Sequence, residues 1–180
     1  RDESRVSSKR LRHVAAEYGL LENKQRISFQ VLAASEDFQR GFLQALFTAD
    51  GSVQGTARKG VSVRLAQSDL PILERVQQML LNFGIASKLY KERRKAAMKM
   101  LPDGKGGSRQ YPCRAQHDLV VSKENLVRFR SEIGFLDDRK SARLEKHLAV
   151  GARGPYAEHF TAAFSGLVPE GEEEVYDLME

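Results

Sequence analysis

Nine residues, Leu43-Gln44-Ala45-Leu46-Phe47-Thr48-Ala49-Asp50-Gly51, carry the clearest chemical signal in this sequence: an apolar helical run that stops at an acid and a glycine. Such a run aims a carboxylate out of a helix end. Gly41, Ala45 and Ala49 recur every fourth residue, which lines them up as one smooth stripe that a second helix can approach closely. Gly51 can take the backbone angles that stop a helix, and Ser52-Val53-Gln54 starts a period-two pattern. Asp50 is therefore predicted at a helix-to-strand junction. A close-packed helix pair brings two such carboxylates together, and paired acids on a basic chain point to metal-assisted cleavage of a phosphodiester.

The basic character is real but moderate. The chain has 180 residues, 41% of them hydrophobic, enough for one domain with appendages. Its formal net charge is +5 and its pI is near 9.4, a balance that favours a polyanionic partner. The single cysteine, Cys113, excludes an internal disulfide framework and a Cys-rich zinc site, suits a reducing compartment, and reads as a small half-buried strand residue. His13, His117, His147 and His159 share no ligand spacing, which disfavours structural zinc and His-based metal nucleases. A GxxxxGK[ST] phosphate loop is absent from the sequence. No apolar run is long enough to cross a bilayer and the N-terminus has no h-region, so a soluble cytoplasmic protein with no membrane partner is expected.

The elements that must position Asp50 follow from spacing. Leu11, Val14, Ala15 and Tyr18 predict a short helix stopped by Gly19, and a polar link over 22–26 leads to Ile27-Ser28-Phe29-Gln30-Val31-Leu32. Ser35 is placed as N-cap of the motif helix, with Glu36 and Asp37 in its first turn. Beyond Gly51, a strand carrying Ser52, Gln54, Thr56 and Arg58 on one face is followed by one in which Val61, Val63 and Leu65 alternate with Ser62 and Arg64, a hairpin with a polar, partly basic face. Asp69 then caps a helix that tolerates Pro71 in its first turn, buries Ile72, Val76, Met79 and Leu80, and ends at Asn82-Phe83-Gly84. Strands are predicted over 85–90 and at Leu119-Val120-Val121. Between them, residues 91–114 are rich in glycine and in charge, including Arg93, Arg94 and Lys95. They are expected to be a mobile loop, read either as a solvated face or as a phosphate-contacting extension. The order is helix, two strands, helix, two strands, helix.

The nonapeptide resembles that of the LAGLIDADG homing endonucleases. It is identical at Leu43, Leu46, Ala49, Asp50 and Gly51, has Ala45 for glycine and Phe47 for isoleucine, and departs further at Gln44 and Thr48. The resemblance implies an α+β LAGLIDADG homing endonuclease fold, αββαββα with a curved antiparallel β-saddle. It places Asp50 and Ala49 at a Mg²⁺ site and suggests Gln67, at the end of the second strand, and Lys123, opening the helix after the last strand, as further catalytic residues. Gln67 also reads as a plain strand-end polar group, and Lys123 as an exposed first-turn lysine. Ile133-Gly134-Phe135 followed by Lys140 resembles the family's closing helix-turn signature and supports the fold rather than the mechanism.

By the same resemblance, double-stranded DNA lies on the saddle within reach of Ser52, Gln54, Thr56, Arg58, Ser62, Arg64, Lys88, Tyr90, Arg93, Arg94 and Lys95, and is cut to leave short 3′ overhangs. One nonapeptide occurs in the sequence, so the unit is expected to homodimerise through the motif helix or to lack a second half. Residues 172–180 resemble the strand by which an intein re-enters its splicing domain. The expected organisation is an N-terminal helix and link over 1–34, the endonuclease unit over 35–150 and an appendage over 151–180. A non-cleaving DNA-binding regulator or an RNA maturase on the same fold is the alternative.

Overall fold

The computed structural model describes residues 7–21, 27–56, 60–104 and 106–150, with 166, 167, 169 and 171. Arg58, and almost all of the proposed 151–180 appendage, lie outside the described residues.

Helix α1 (Lys9–Glu17) is capped by Ser8, whose hydroxyl accepts from the Leu11 amide, but none of its residues is buried. Leu11 and Val14 face solvent instead of forming a docked stripe. Attachment comes from Tyr18, just past the helix, whose ring stacks on Phe38 at 4.2 Å. A four-residue helix, α2 (Phe29–Leu32), precedes the motif helix α3 (Glu36–Asp50), which Ser35 caps as expected. Helix α3 has two stripes, each of period four. Gln39, Leu43 and Phe47 are buried, whereas Gly41, Ala45 and Ala49 lie on the exposed side.

Strands β1 (Gly51–Thr56) and β2 (Gly60–Gln67) form the predicted hairpin, with Gly51 opposite Leu65 and Val53 opposite Val63. They continue into β6 (Gln116–Ser122) and β3 (Lys88–Arg94), giving an antiparallel sheet of order β1-β2-β6-β3. Val53, Val63, Leu65, Leu119 and Val121 face the core, where α4 (Leu70–Asn82) buries Leu73, Val76, Met79 and Leu80. Leu73 replaces the expected Ile72, which is only partly covered. Strand β3 starts later than the predicted 85, because Ile85 is a core residue and the Ala86 amide donates to Asn125 Oδ1 at 2.8 Å, which anchors the approach to the strand instead of pairing it.

Residues 91–114 are not a loop. Strand β3 runs on to Arg94, and β4 (Ala97–Pro102) pairs with β5 (Ser108–Cys113) as a separate two-stranded arm, from Ala97 opposite Cys113 to Pro102 opposite Ser108. Its tip is closed by Asp103, whose carboxylate accepts from the Gly107 amide at 2.9 Å; short polar side chains stabilise tight turns in this way. Cys113 is half-buried on its strand, as expected. Helices α5 (Asn125–Glu132) and α6 (Asp138–Val150) close the unit. Phe129 of α5 packs edge-on to Phe47 at 4.9 Å and leans on Phe135 at 5.4 Å. The unit is α+β, and α3-β1-β2-α4-β3-β6-α5 follows the expected αββαββα order, with the arm inserted between β3 and β6. Among the described residues, no helix is long and apolar enough to cross a membrane.

Candidate functional site

Asp50 is the last residue of α3 and is exposed. The glycine after it works differently from the expectation: Gly51 has φ −74 and ψ 157, ordinary extended backbone, and its amide donates to the Phe47 carbonyl. What the position demands is the absence of a side chain. A Cβ on Gly51 would stand 2.5 Å from the Phe47 carbonyl oxygen and 2.9 Å from Phe47 Cδ1. A glycine here lets the chain turn from helix into strand hard against its own last turn, fixing where the Asp50 carboxylate emerges.

Strand register brings a second residue to that carboxylate. Because Gly51 pairs with Leu65, Gln67 reaches back past the start of β1, and its amide nitrogen lies 3.3 Å from Asp50 Oδ2. A third residue arrives from α6. Lys140 Nζ donates to the Gly51 carbonyl at 2.7 Å, to the Thr48 carbonyl, and more distantly to that of Phe47 at 3.5 Å. The last carbonyls of a helix have no partners within it and carry its negative dipole end, so the ammonium satisfies them and offsets the unfavourable placement of Asp50 there. Lys140 is held in turn by Asp137, whose carboxylate accepts from the Lys140 amide at 2.9 Å. That bond holds the Asp137 carboxyl below its usual pKa against the opposing effect of desolvation, with help from Arg139. The two motif positions that depart furthest from the family fix the same junction: Gln44 donates to the Ile133 carbonyl at 2.9 Å, and Thr48 Oγ1 accepts from the Leu136 amide at 2.8 Å.

Lys123 is not brought to Asp50. It lies in the turn before α5, with φ 56, instead of in the first helical turn. Ser122 pairs with Ser62 and His117 with Gln67, so Lys123 leaves the sheet at the opposite end of β2, beyond Ser62, which is itself about 16 Å from Gln67 at ~3.3 Å per strand residue. Lys140 instead occupies the helix end that bears Asp50. Its only sequence signal was its place five residues after Phe135 in the closing signature; nothing local indicates an acceptor 92 residues upstream.

Among the described residues, no three His, Cys, Asp or Glu side chains gather as a metal cluster. Mg²⁺ commonly takes one or two protein carboxylates and keeps waters and phosphate oxygens on its remaining positions. An exposed carboxylate beside the helix-end carbonyls therefore fits as half of a shared site. The exposed stripe allows for the other half: an added Cβ at Gly41 would meet nothing within 4 Å.

The sheet face away from the core is polar. Gln54, Ser62 and Ser122 form one row across it, Ser52, Arg64, Val120 and Lys88 a second, and Ala66, Asp118 and Tyr90 a third. Ser52, Gln54, Thr56, Ser62, Arg64, Lys88 and Tyr90 thus share one surface. Arg94 pairs opposite Gln116 and joins Lys95, Lys99 and Arg114 around a cleft of about 270 Å³ that also touches Ser68 and Cys113. Lys99 and Arg114, on the arm and just past its end, fall within the 91–114 stretch read as a phosphate-contacting extension, and they line the cleft with Arg94.

An exposed carboxylate at a helix end, flanked by an exposed small-residue stripe and a polar sheet face, defines the class. Residues 37–134 match the profile described as a LAGLIDADG-like domain, and the chain belongs to this family. It is similar to the ribonucleoside-diphosphate reductase NrdEB subunit alpha of Bacillus subtilis (strain 168), 31% identical over 160 residues, which are 87% of this chain and 15% of that protein. It is also similar to a DNA polymerase of Thermococcus litoralis, 34% identical over 108 residues, 59% of this chain and 6% of that protein. The chain thus spans only a small fraction of the length of these relatives. Among solved structures, mesophilic variants of the homing endonuclease I-DmoI match at 20% identity and a TM-score of 0.44, covering 79% of this chain and 60% of that one.

Proposed function

We propose that this chain is one half of a site-specific, metal-dependent DNA endonuclease carried within an intein. The observation that carries the reading is the convergence of Gln67 and Lys140 on the helix end that bears Asp50, at the edge of a saddle of suitable polarity for duplex DNA. Similarity to short stretches of a reductase and a polymerase, enzymes of unrelated chemistry, supports a segment inserted into different hosts.

In this reading the stripe packs on a second copy of the chain or on another half-unit, and Asp50 and its counterpart, with the adjoining Ala49 position, would hold Mg²⁺. The chemistry Mg²⁺ supplies when bound is Lewis-acid stabilisation of the phosphate and a more acidic attacking water. The chain's own residues orient the reaction. Gln67 fixes the Asp50 carboxylate by one N–H and can use the other to hold a water. Lys140 keeps the helix end neutralised and adds positive potential where charge develops on the phosphate. Base edges are met by Ser52, Gln54 and Arg64 in the major groove, while buried Ser62 accepts from Arg64 Nε and steadies it, and phosphates are met by Arg94, Lys95, Lys99 and Arg114.

The test is Asp50→Asn, which keeps the side chain's shape and removes its charge. Nicking and cutting of a plasmid bearing the uninterrupted host-gene junction should disappear in Mg²⁺, while binding of that junction in Ca²⁺ persists. Unchanged cleavage would remove Asp50 from the reaction. Tight binding by the parent with no cleavage would favour the regulator or maturase reading.

A further inference from the structure

Arg93 does not belong with its basic neighbours. Strand β3 keeps register with β6 from Lys88 to Tyr90 and resumes at Arg94, with an irregularity between them. Within it Glu92 has φ 48, a conformation that costs a non-glycine residue energy and persists only where the surroundings enforce it. The Glu92 amide donates to His117 Nδ1 at 3.0 Å, pinning the bulge to β6. Bulges re-aim side chains, and this one turns Arg93 onto the saddle face. There its Nε lies 3.3 Å from Asp118 Oδ2, and its guanidinium carbon lies 5.1 Å from the centre of the Tyr90 ring.

Asp118 is an anomaly on a DNA-facing surface. Its side chain is only 4% exposed, and Oδ1 has no hydrogen-bond partner, whereas the Arg93 side chain is 37% exposed. A buried carboxylate left unpaired is costly, so Asp118 depends on Arg93 for compensation and Arg93 is held at two points in return. The carboxylate takes the Nε edge of the guanidinium and the Tyr90 ring lies against its face. The Nη end of the fork is left for a ligand.

We propose that Arg93 reads a guanine through its O6 and N7 acceptors, with Asp118 and Tyr90 as the residues that position it. The inference rests on the DNA-binding reading above and deepens it. Contact with phosphate needs only charge, which flexible Lys95 supplies as well. A guanidinium fixed by a carboxylate and an aromatic face is oriented before binding, and the planar fork matches the two acceptors that guanine presents in the major groove.

The experiment selects binding sites for the full chain from a randomised duplex DNA library in Ca²⁺ and repeats the selection with variants. The parent should require guanine at one position, by about ten-fold or more over other bases. Arg93→Lys keeps the charge and loses the fork, and should abolish that preference alone. Asp118→Asn should weaken preference at the same position while leaving the others intact, which a purely structural role would not do. Should either single variant fail to fold, the double variant Arg93→Ala/Asp118→Ala leaves no charge buried alone and should show the same single-position loss. Uniform weakening on all sequences, with the salt slope reduced by about one, would make Arg93 a phosphate contact and overturn the inference. Failure of the parent to bind any duplex would instead refute the DNA-binding reading itself.

Discussion

Replacing Lys140 by methionine keeps the aliphatic stem and removes the ammonium. The structure gives that ammonium two close acceptors, the carbonyls of Gly51 and Thr48, and a longer one at Phe47. A hydrogen bond to a charged group contributes about 1.5–3 kcal/mol. The side chain is only half-buried, so water can replace the donor at one of the two close acceptors. Counting one bond in full, with a few tenths of a kcal/mol for the uncompensated helix end, gives a loss of about 2–3 kcal/mol. In a chain of this size that lowers Tm by roughly 5–10 °C. Urea denaturation followed by circular dichroism gives the free energy directly, and Lys140→Arg should fall between parent and methionine variant, since a planar fork cannot serve converging carbonyls as a compact ammonium does. A loss below about 0.5 kcal/mol, the level of an ordinary surface substitution, would refute the claim that Lys140 closes the end of α3.

Other outcomes follow from single positions. Gly51→Ala should destabilise by about 1–3 kcal/mol, as overpacking does, because a Cβ there meets the Phe47 backbone; a neutral result in denaturant titration would contradict the close approach. Gly41→Ala should stabilise the dilute chain by about 0.5–1 kcal/mol, as glycine is a poor helix former, yet weaken self-association in sedimentation if the stripe is a helix-helix seam. The Asp137 carboxyl is held below its normal pKa chiefly by the Lys140 amide, so its contribution is present above the unfolded-state value, about 3.9, and is lost as pH falls through the lower folded value. The stability gap between parent and Asp137→Ala should therefore narrow on acidification from pH 6 to pH 3; a constant gap would show that the charge has no part in the cap.

Most of the fold is legible because its elements bury one face each. The period-four stripe of Leu43 and Phe47 and the alternation through Val61, Val63 and Leu65 each name their element and its inner side. Where burial does not decide, the pattern misleads. The arm reads as a loop in the sequence because none of its strand residues is fully buried, and pairing of Met98 with Pro112 or Met100 with Gln110 leaves no hydrophobic alternation to detect. Helix α1 was legible as a helix, but its apolar side chains carry no information about docking when nothing covers them. At the site, Gln67 was reachable through the family resemblance at the end of the second strand, whereas Lys140 meets its acceptors across some ninety residues, a separation no local pattern encodes. Lys123 drew attention as a lysine next to a strand end, but antiparallel pairing makes that the end away from Asp50.

The arm has a consequence for how such a protein changes over generations. All of β4 is exposed, and β4 and β5 pair with each other instead of with the main sheet. Substitutions along it leave the buried core untouched and carry little stability cost. Mutations can accumulate on the arm while the unit still folds, so new surface contacts can be sampled one residue at a time. On the proposed reading, a lineage that must follow a drifting DNA target has in this hairpin a place to vary away from the helix end that bears Asp50.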